Sequence, residues 1–278
     1  MKRSFLFLFF FIGQYAFPSP SPFQWGVIDD SKQENESQRY QALYQALSED
    51  PNATLKLINF PSLDAATKAL ESNGVQLLTL RPSEFLEVRK KLGMKAVAIF
   101  LFQGNPYHHS LFLSRSNTKA KSLMAFKAKR LGLGKDHSLS THRVPLLELT
   151  KNKINPDSFF SKVIKDLNHS QLELALVKGE IDLAAGSDIV HESLLKSKKI
   201  KASDLKIIQQ SEPIPNEILL MNESFLNTSP GKKIKMKISE LISKKTELPA
   251  GTVPEPWVGI AEVPSELFDK FENQLKSQ

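Results

Sequence analysis

Cysteine is absent from the 278 residues, which excludes disulfides, cysteine–zinc sites, thiol nucleophiles and a lipid-modified N-terminal cysteine. A Gly-x-Ser-x-Gly elbow, a His-Glu-x-x-His helix, a P-loop and a Gly-x-Gly-x-x-Gly turn are also missing, so none of these signatures of hydrolases, zinc proteases or nucleotide binders applies. No apolar run reaches the ~20 residues needed to span a bilayer, and there is no internal repeat. What is present is ordinary for a globular chain. Hydrophobic residues make up 41% and charged residues 24%, with 12 Gly and 16 Pro, which rules out disorder or a fibrous fold. The charge balance is 37 − 30 = +7, a surplus that suits an anionic partner. The lysine clusters at 196–201 and 232–237 carry no aromatic interleaving, so nucleic acid is not expected.

The N-terminus has the layout of a secretory signal. Lys2 and Arg3 precede an apolar run over 5–12, then polar Gln14 and a Pro/Ser stretch at 18–22. A basic start, a short apolar segment and an immediate turn predict a signal peptide over 1–22 with cleavage between 16 and 21. The expected location is therefore periplasmic or secreted. An uncleaved anchor is the alternative.

Beyond it, short apolar runs alternate with helical patterns. Strands are expected over 23–28, 55–60, 75–80 and 96–102, and helices over 40–47, 63–70 and 83–92. The pattern restarts with strands at 109–113 and 131–134 and a helix beginning near Ser140. Helices over 158–167 and 170–178, a strand at 181–185, another helix and a strand at 206–209 follow, with the tail helical over 232–244 and 264–276. Such alternation predicts an α/β fold around mostly parallel sheets. A middle block framed by two extended segments predicts two lobes, 23–112 with 216–278 and 113–215, joined by two crossing strands. Ligands in such folds bind where strand ends and helix starts meet.

The most informative segment is Gly134-Lys-Asp-His-Ser138-Leu-Ser140-Thr141-His142-Arg-Val-Pro145. A strand ends at Gly134 and a hydroxyl-rich loop opens a helix. The first N–H groups of a helix are unpaired and its dipole is positive there, which favours an anion. Ser138, Ser140 and Thr141 add neutral donors at the same point. The same residues also suit an ordinary N-cap.

This segment resembles the Asp-Pro-x-Ser-Thr-Ser-Gly-(Tyr/Phe)-Leu-x-Pro loop of the phosphate/phosphite/phosphonate-type periplasmic solute-binding proteins of ABC transporters. Gly134 to Pro145 fits it without a gap, with the serines on Ser138 and Ser140 and the glycine replaced by Thr141. Further similarities lie in Lys153-Ile154-Asn155-Pro156-Asp157-Ser-Phe-Phe160, in Asn168-His169 to Asp182, in Ser211-Glu-Pro-Ile214-Pro215-Asn216 and in 122–130. The resemblance implies a type II periplasmic-binding fold: a two-lobed α/β clamshell with a mostly parallel sheet in each lobe and a two-strand hinge. It also implies a non-enzymatic function, capture of a small phosphonate- or phosphite-like oxyanion between the lobes for delivery to a membrane permease, with no cofactor and a monomeric chain.

By the same resemblance, Ser138, Ser140, Thr141 and His169 hold the ligand from the second lobe. A ligand-lining tyrosine falls at His108, a turn glycine becomes Arg81, and acidic positions that meet a ligand amine fall near Asp188 and at Glu217. Another lining tyrosine is replaced by Leu63. A structural histidine remains the other reading of His169, and a surface arginine that of Arg81. The six histidines, His108, His109, His137, His142, His169 and His191, leave a divalent-metal site open as an alternative. A sensor or surface protein of the same fold is the remaining one. A catalytic Ser138–His169 pair has no evident orienting acid in the sequence.

Overall fold

The computed structural model describes residues 23–28, 36–48, 54–90, 93–243 and 251–276; the expected signal peptide at 1–22 lies outside them. The chain begins with β1 (Trp25–Ile28), α1 (Glu36–Ser48), β2 (Leu57–Phe60), α2 (Leu63–Glu71), β3 (Leu77–Leu80), α3 (Pro82–Val88) and β4 (Met94–Leu101). The short β5 (Tyr107–His108) leads to β6 (Ser110–Arg115), β7 (Arg130–Gly134), α4 (Val144–Lys151), α5 (Pro156–Phe159), β8 (Lys162–Leu167) and α6 (His169–Val177). Then come β9 (Leu183–Ser187), α7 (Asp188–Lys196), β10 (Leu205–Gln210) and the short β11 (Ile214–Pro215). The chain closes with β12 (Ile218–Asn222), α8 (Glu223–Leu226), α9 (Ser229–Ser243), β13 (Gly259–Ala261) and α10 (Ser265–Lys276).

Two sheets result, β13-β4-β12-β3-β1-β2 and β10-β6-β9-β7-β8, and a two-stranded ribbon, β11-β5, lies between them in sequence. Each sheet has a parallel part of three adjoining strands, β3-β1-β2 and β9-β7-β8, while the other pairings are antiparallel. The sheets are thus mixed rather than wholly parallel: β12 and β13 run against the other strands of the first sheet, and β6 runs against those of the second.

Alternation explains why both faces are covered. In β4, Ala98 and Phe100 face one core with Trp25, Tyr44 and Trp257, whereas Ile99 faces another with Leu78, Leu80 and Phe268. Successive side chains of a strand point to opposite faces, so the continuous apolar runs of β3, β4 and β12 mark strands buried on both sides. The second sheet does the same: Leu111 and Leu113 enter one cluster and Phe112 the other. Helix α1 packs Tyr40, Leu43, Tyr44 and Leu47 inward, the i, i+3, i+4, i+7 spacing of an amphipathic helix.

Two expectations need correction. The helix expected over 158–167 is instead the single turn of α5 followed by edge strand β8, paired parallel to β7 through Val163 and Ile164. Its apolar residues, Phe159, Phe160, Val163, Ile164 and Leu167, keep a helical spacing, and pairing with β7 overrides it. The helix expected over 83–92 stops as α3 at Val88. Strand β12, central in its sheet, was not anticipated as a strand. Among the described residues no helix is long and apolar enough to cross a membrane.

Candidate functional site

A cleft of about 410 Å³ is lined from both parts of the fold. Its floor is the turn after β7. Ser138 is extended (φ −72°, ψ 125°) and caps a five-residue π turn, Leu139–Arg143, that runs into α4. The turn is wide because Arg143 N–H donates to Ser138 C=O and Val144 N–H to Leu139 C=O, both five residues back. Pro145 contributes by lacking the N–H that would draw the Thr141 carbonyl into an α-helical bond. At the turn's start, the N–H groups of Leu139 and Ser140 have no acceptor within it.

Inside this turn, Ser138 Oγ accepts from Thr141 N–H at 3.3 Å and from Thr141 Oγ1–H at 2.7 Å, and lies 3.0 Å from His169 Nε2. With both acceptor positions taken, the Ser138 proton is the one left for His169. Thr141 is fully buried and does not line the cleft; it positions Ser138. Its side chain has room only because residue 134 is glycine, where an added Cβ would run into Thr141 Oγ1 and Cβ. Ser140 lines the cleft, and its hydroxyl has no partner among the described residues.

Two more helices begin at the cleft. Asn168 caps α6 by accepting from Gln171 N–H at 2.8 Å, and Gln171 Oε1 returns the bond to Asn168 N–H. This fixes His169, the first residue of α6, whose imidazole is held below its ordinary pKa by burial and, secondarily, by His137. Ser187 opens α7, which contributes Ile189 and Val190.

The opposite wall comes from the first lobe and the connecting ribbon. His108, in β5, meets Asn216 Oδ1 through Nδ1 at 3.0 Å, and burial lowers its pKa to about 4. Arg81 lines the cleft mouth with its guanidinium held by Glu84, Nε to Oε1 2.8 Å. Glu217 also lines the cleft and receives the Tyr40 hydroxyl at 3.4 Å. Lys135 and Arg39 complete the basic lining, which leaves Glu217 as the sole carboxylate among the described lining residues.

Thus Ser138, Ser140, His169, His108, Arg81 and Glu217 are brought to one cleft, and Thr141 stands directly behind it. Asp188 is turned away. Its carboxylate accepts from His109 N–H at 2.9 Å and Ile189 N–H at 2.8 Å and does not line the cleft. Leu63 packs against the first-lobe core instead of the cleft. Among the described residues no three His, Asp or Glu side chains are placed to share a metal ion. His109 donates to Ser211 C=O, His142 to Gly134 C=O, and His191 pairs with Glu173, each away from the others.

Trp257, with Pro256, was missed from sequence. It lines the cleft, is buried, and stacks on Phe100 with centroids 5.8 Å apart. Its indole N–H is buried with no hydrogen-bond partner among the described residues. It sits in a loop without periodicity, so no sequence signal marked it.

Over residues 25–243 the chain matches the family model described as "ABC transporter, phosphonate, periplasmic substrate-binding protein". Among solved structures, it is similar to a binding protein component of an ABC phosphonate transporter from Pseudomonas aeruginosa. Identity there is 19%, with 91% of this chain and 84% of that one covered and a TM-score of 0.63. It is also similar to PhnD1 from Prochlorococcus marinus in complex with methylphosphonate, at 16% identity, 92% and 97% coverage and a TM-score of 0.67. A Xanthomonas citri protein bound to ATP matches at 14% identity, 93% and 98% coverage and a TM-score of 0.65. These likenesses show the fold, a two-lobed α/β clamshell of the type II periplasmic-binding class.

Proposed function

We propose, from the premise that the chain belongs to the phosphonate-type periplasmic substrate-binding family of ABC transporters, that it takes a small phosphonate-like oxyanion into this cleft. Acting as a monomer outside the cytoplasm, it would then present that ligand to a membrane permease. The observation that carries the reading is convergence. The π turn before α4, the start of α6 and the start of α7 meet at one cleft whose described lining has three cations, Arg39, Arg81 and Lys135, against one carboxylate. Unpaired N–H groups and helix dipoles at such starts favour an anion.

In this reading the Ser140 hydroxyl and the N–H groups of Leu139 and Ser140 hold the oxyanion. Ser138, oriented by Thr141, shifts its proton from His169 to a ligand oxygen. Arg81 and Lys135 supply positive charge near the mouth, and His108 faces the ligand from the hinge side. Contacts from both lobes favour the closed state through their differential affinity. The sheets 25–101 with 218–261 and 110–210 are the two bodies that would close, with β5 and β11 as the hinge. The Ser138–His169 pair serves binding rather than catalysis, since among the described residues no carboxylate orients His169.

The test is a thermal-shift panel of phosphate, phosphite, methylphosphonate, sulfate, zinc and nickel, with and without chelator. A ligand selective for the folded state at a hundredfold excess over its Kd adds ~2.7 kcal/mol. A shift with phosphorus oxyanions supports the reading. A chelator-sensitive shift with metal alone, or silence across the panel, rejects it.

A further inference from the structure

The hydrogen-bond polarity of His108 is fixed by its neighbour. Asn216 is fully buried and its side-chain Nδ2 donates to two backbone carbonyls, Phe100 O at 2.9 Å and Asn105 O at 3.0 Å. Carbonyls only accept, so the amide cannot be flipped and Oδ1 is the atom that faces His108 Nδ1. A carboxamide oxygen also only accepts, so His108 carries its proton on Nδ1. In the neutral ring Nε2 is therefore a lone pair. That ring lines the cleft, and Nε2 has no partner among the described residues.

A bare lone pair is a poor neighbour for a fully ionised oxyanion and a good one for an oxygen that carries a proton. We propose that His108 is a specificity-determining residue: its Nε2 accepts a hydrogen bond from the P–O–H of a phosphonate monoanion and so excludes isosteric sulfonates. This rests on the oxyanion reading of the cleft. A phosphonate has its second ionisation near neutral pH, as a phosphate monoester does, and can present one protonated oxygen. A sulfonate has the same tetrahedral head of three oxygens and no proton to give. The charged and titratable groups that share the cleft are His169, His137, Lys135, Arg39, Arg81 and Glu217, with His109 adjacent in the chain. The cations attract the remaining charge of either ligand, so they set affinity without distinguishing the two. Burial, with the repulsion of His109 and His169, keeps the ring neutral at ordinary pH, in the form the hydrogen bond needs.

Methylphosphonate and methanesulfonate form the matched pair for calorimetry. At pH 6 the wild-type chain is expected to prefer methylphosphonate by about tenfold or more, the scale set by an unsatisfied polar contact. Its methylphosphonate affinity should fall between pH 6 and 9 as the ligand loses its proton, a measurement that needs no variant. His108→Gln, whose amide can turn a donor into the cleft, should narrow the preference to within about threefold, chiefly by improving methanesulfonate. Equal wild-type affinities, a flat pH profile for methylphosphonate, or an unchanged ratio in H108Q would overturn the proposal. If methylphosphonate binds but is not preferred, only this inference fails. If neither ligand binds, the oxyanion reading fails with it.

Discussion

Replacing Gly134 with alanine places a Cβ against Thr141 Oγ1 and Cβ, with Leu167 O at 3.5 Å on the other side. Thr141 cannot retreat, because it is fully buried in the π turn. It must rotate or the turn must shift, and either breaks the 2.7 Å bond from Thr141 Oγ1 to Ser138. Overpacking of this kind costs about 1–3 kcal/mol, and the lost hydrogen bond about 0.5–1.5 kcal/mol. The sum, about 1.5–4.5 kcal/mol, corresponds to a fall in Tm of roughly 3–18 °C for a chain of this size. Thr141→Gly removes both colliding atoms, so the G134A/T141G double variant should be more stable than the sum of its single changes by about 1 kcal/mol or more. Calorimetric melts of the four proteins measure this coupling. Additivity within about 0.5 kcal/mol, or a G134A variant that melts with the wild type, would refute the account of how Thr141 is accommodated.

Asp182 receives Arg130 at 2.8 Å and Arg115 at 3.2 Å, tying the starts of β7 and β9 to β6, and the Arg130 hydrogen bond holds its carboxyl well below the usual carboxylate range. A depressed pKa stabilises above the unfolded value of ~3.9 and loses that contribution as pH falls below it; Asp182→Asn should therefore lower urea stability at pH 7 by about 1–3 kcal/mol, with the gap shrinking toward pH 3. His191 runs the other way: its bond to buried Glu173, at 2.7 Å, raises its pKa. That stabilisation is full below the unfolded value of ~6.5 and disappears as pH rises through the folded one, so urea melts of Glu173→Gln should lack the wild-type loss of stability over that window. For Trp257, Phe keeps the stack on Phe100 and deletes the unpartnered N–H, so Trp257→Phe should melt at or above the wild-type temperature, whereas Trp257→Ala should cost about 3–5 kcal/mol.

Most of the fold was legible because its strands are short, apolar and bounded by turns, and its helices carry a clear stripe, as in Tyr40, Leu43, Tyr44 and Leu47. Strand β8 was not, since Lys162-Val-Ile-Lys-Asp-Leu continues the helical spacing of Phe159-Phe160 and only its pairing with β7 makes it a strand. Nor was β12, whose Ile-Leu-Leu-Met run is too short to name its partner strands. At the cleft, Ser138, Ser140 and His169 were recoverable because a helix start confines their chemistry to one point in sequence. Asp188 looked equivalent by position, but the orientation of a side chain at a helix start depends on which backbone N–H it finds, here that of His109. Trp257 and Arg39 reach the cleft through tertiary packing across more than two hundred residues, which no local pattern encodes.

The central claim is that the helix start at Ser138 and Ser140 binds the oxyanion, and calorimetric titration of methylphosphonate into the wild type and the S138A/S140A double variant tests it most directly. Loss of two hydrogen bonds to a charged ligand, each about 1.5–3 kcal/mol, predicts a weakening of at least a hundredfold in a variant that still folds. An affinity unchanged by the two substitutions would contradict the account.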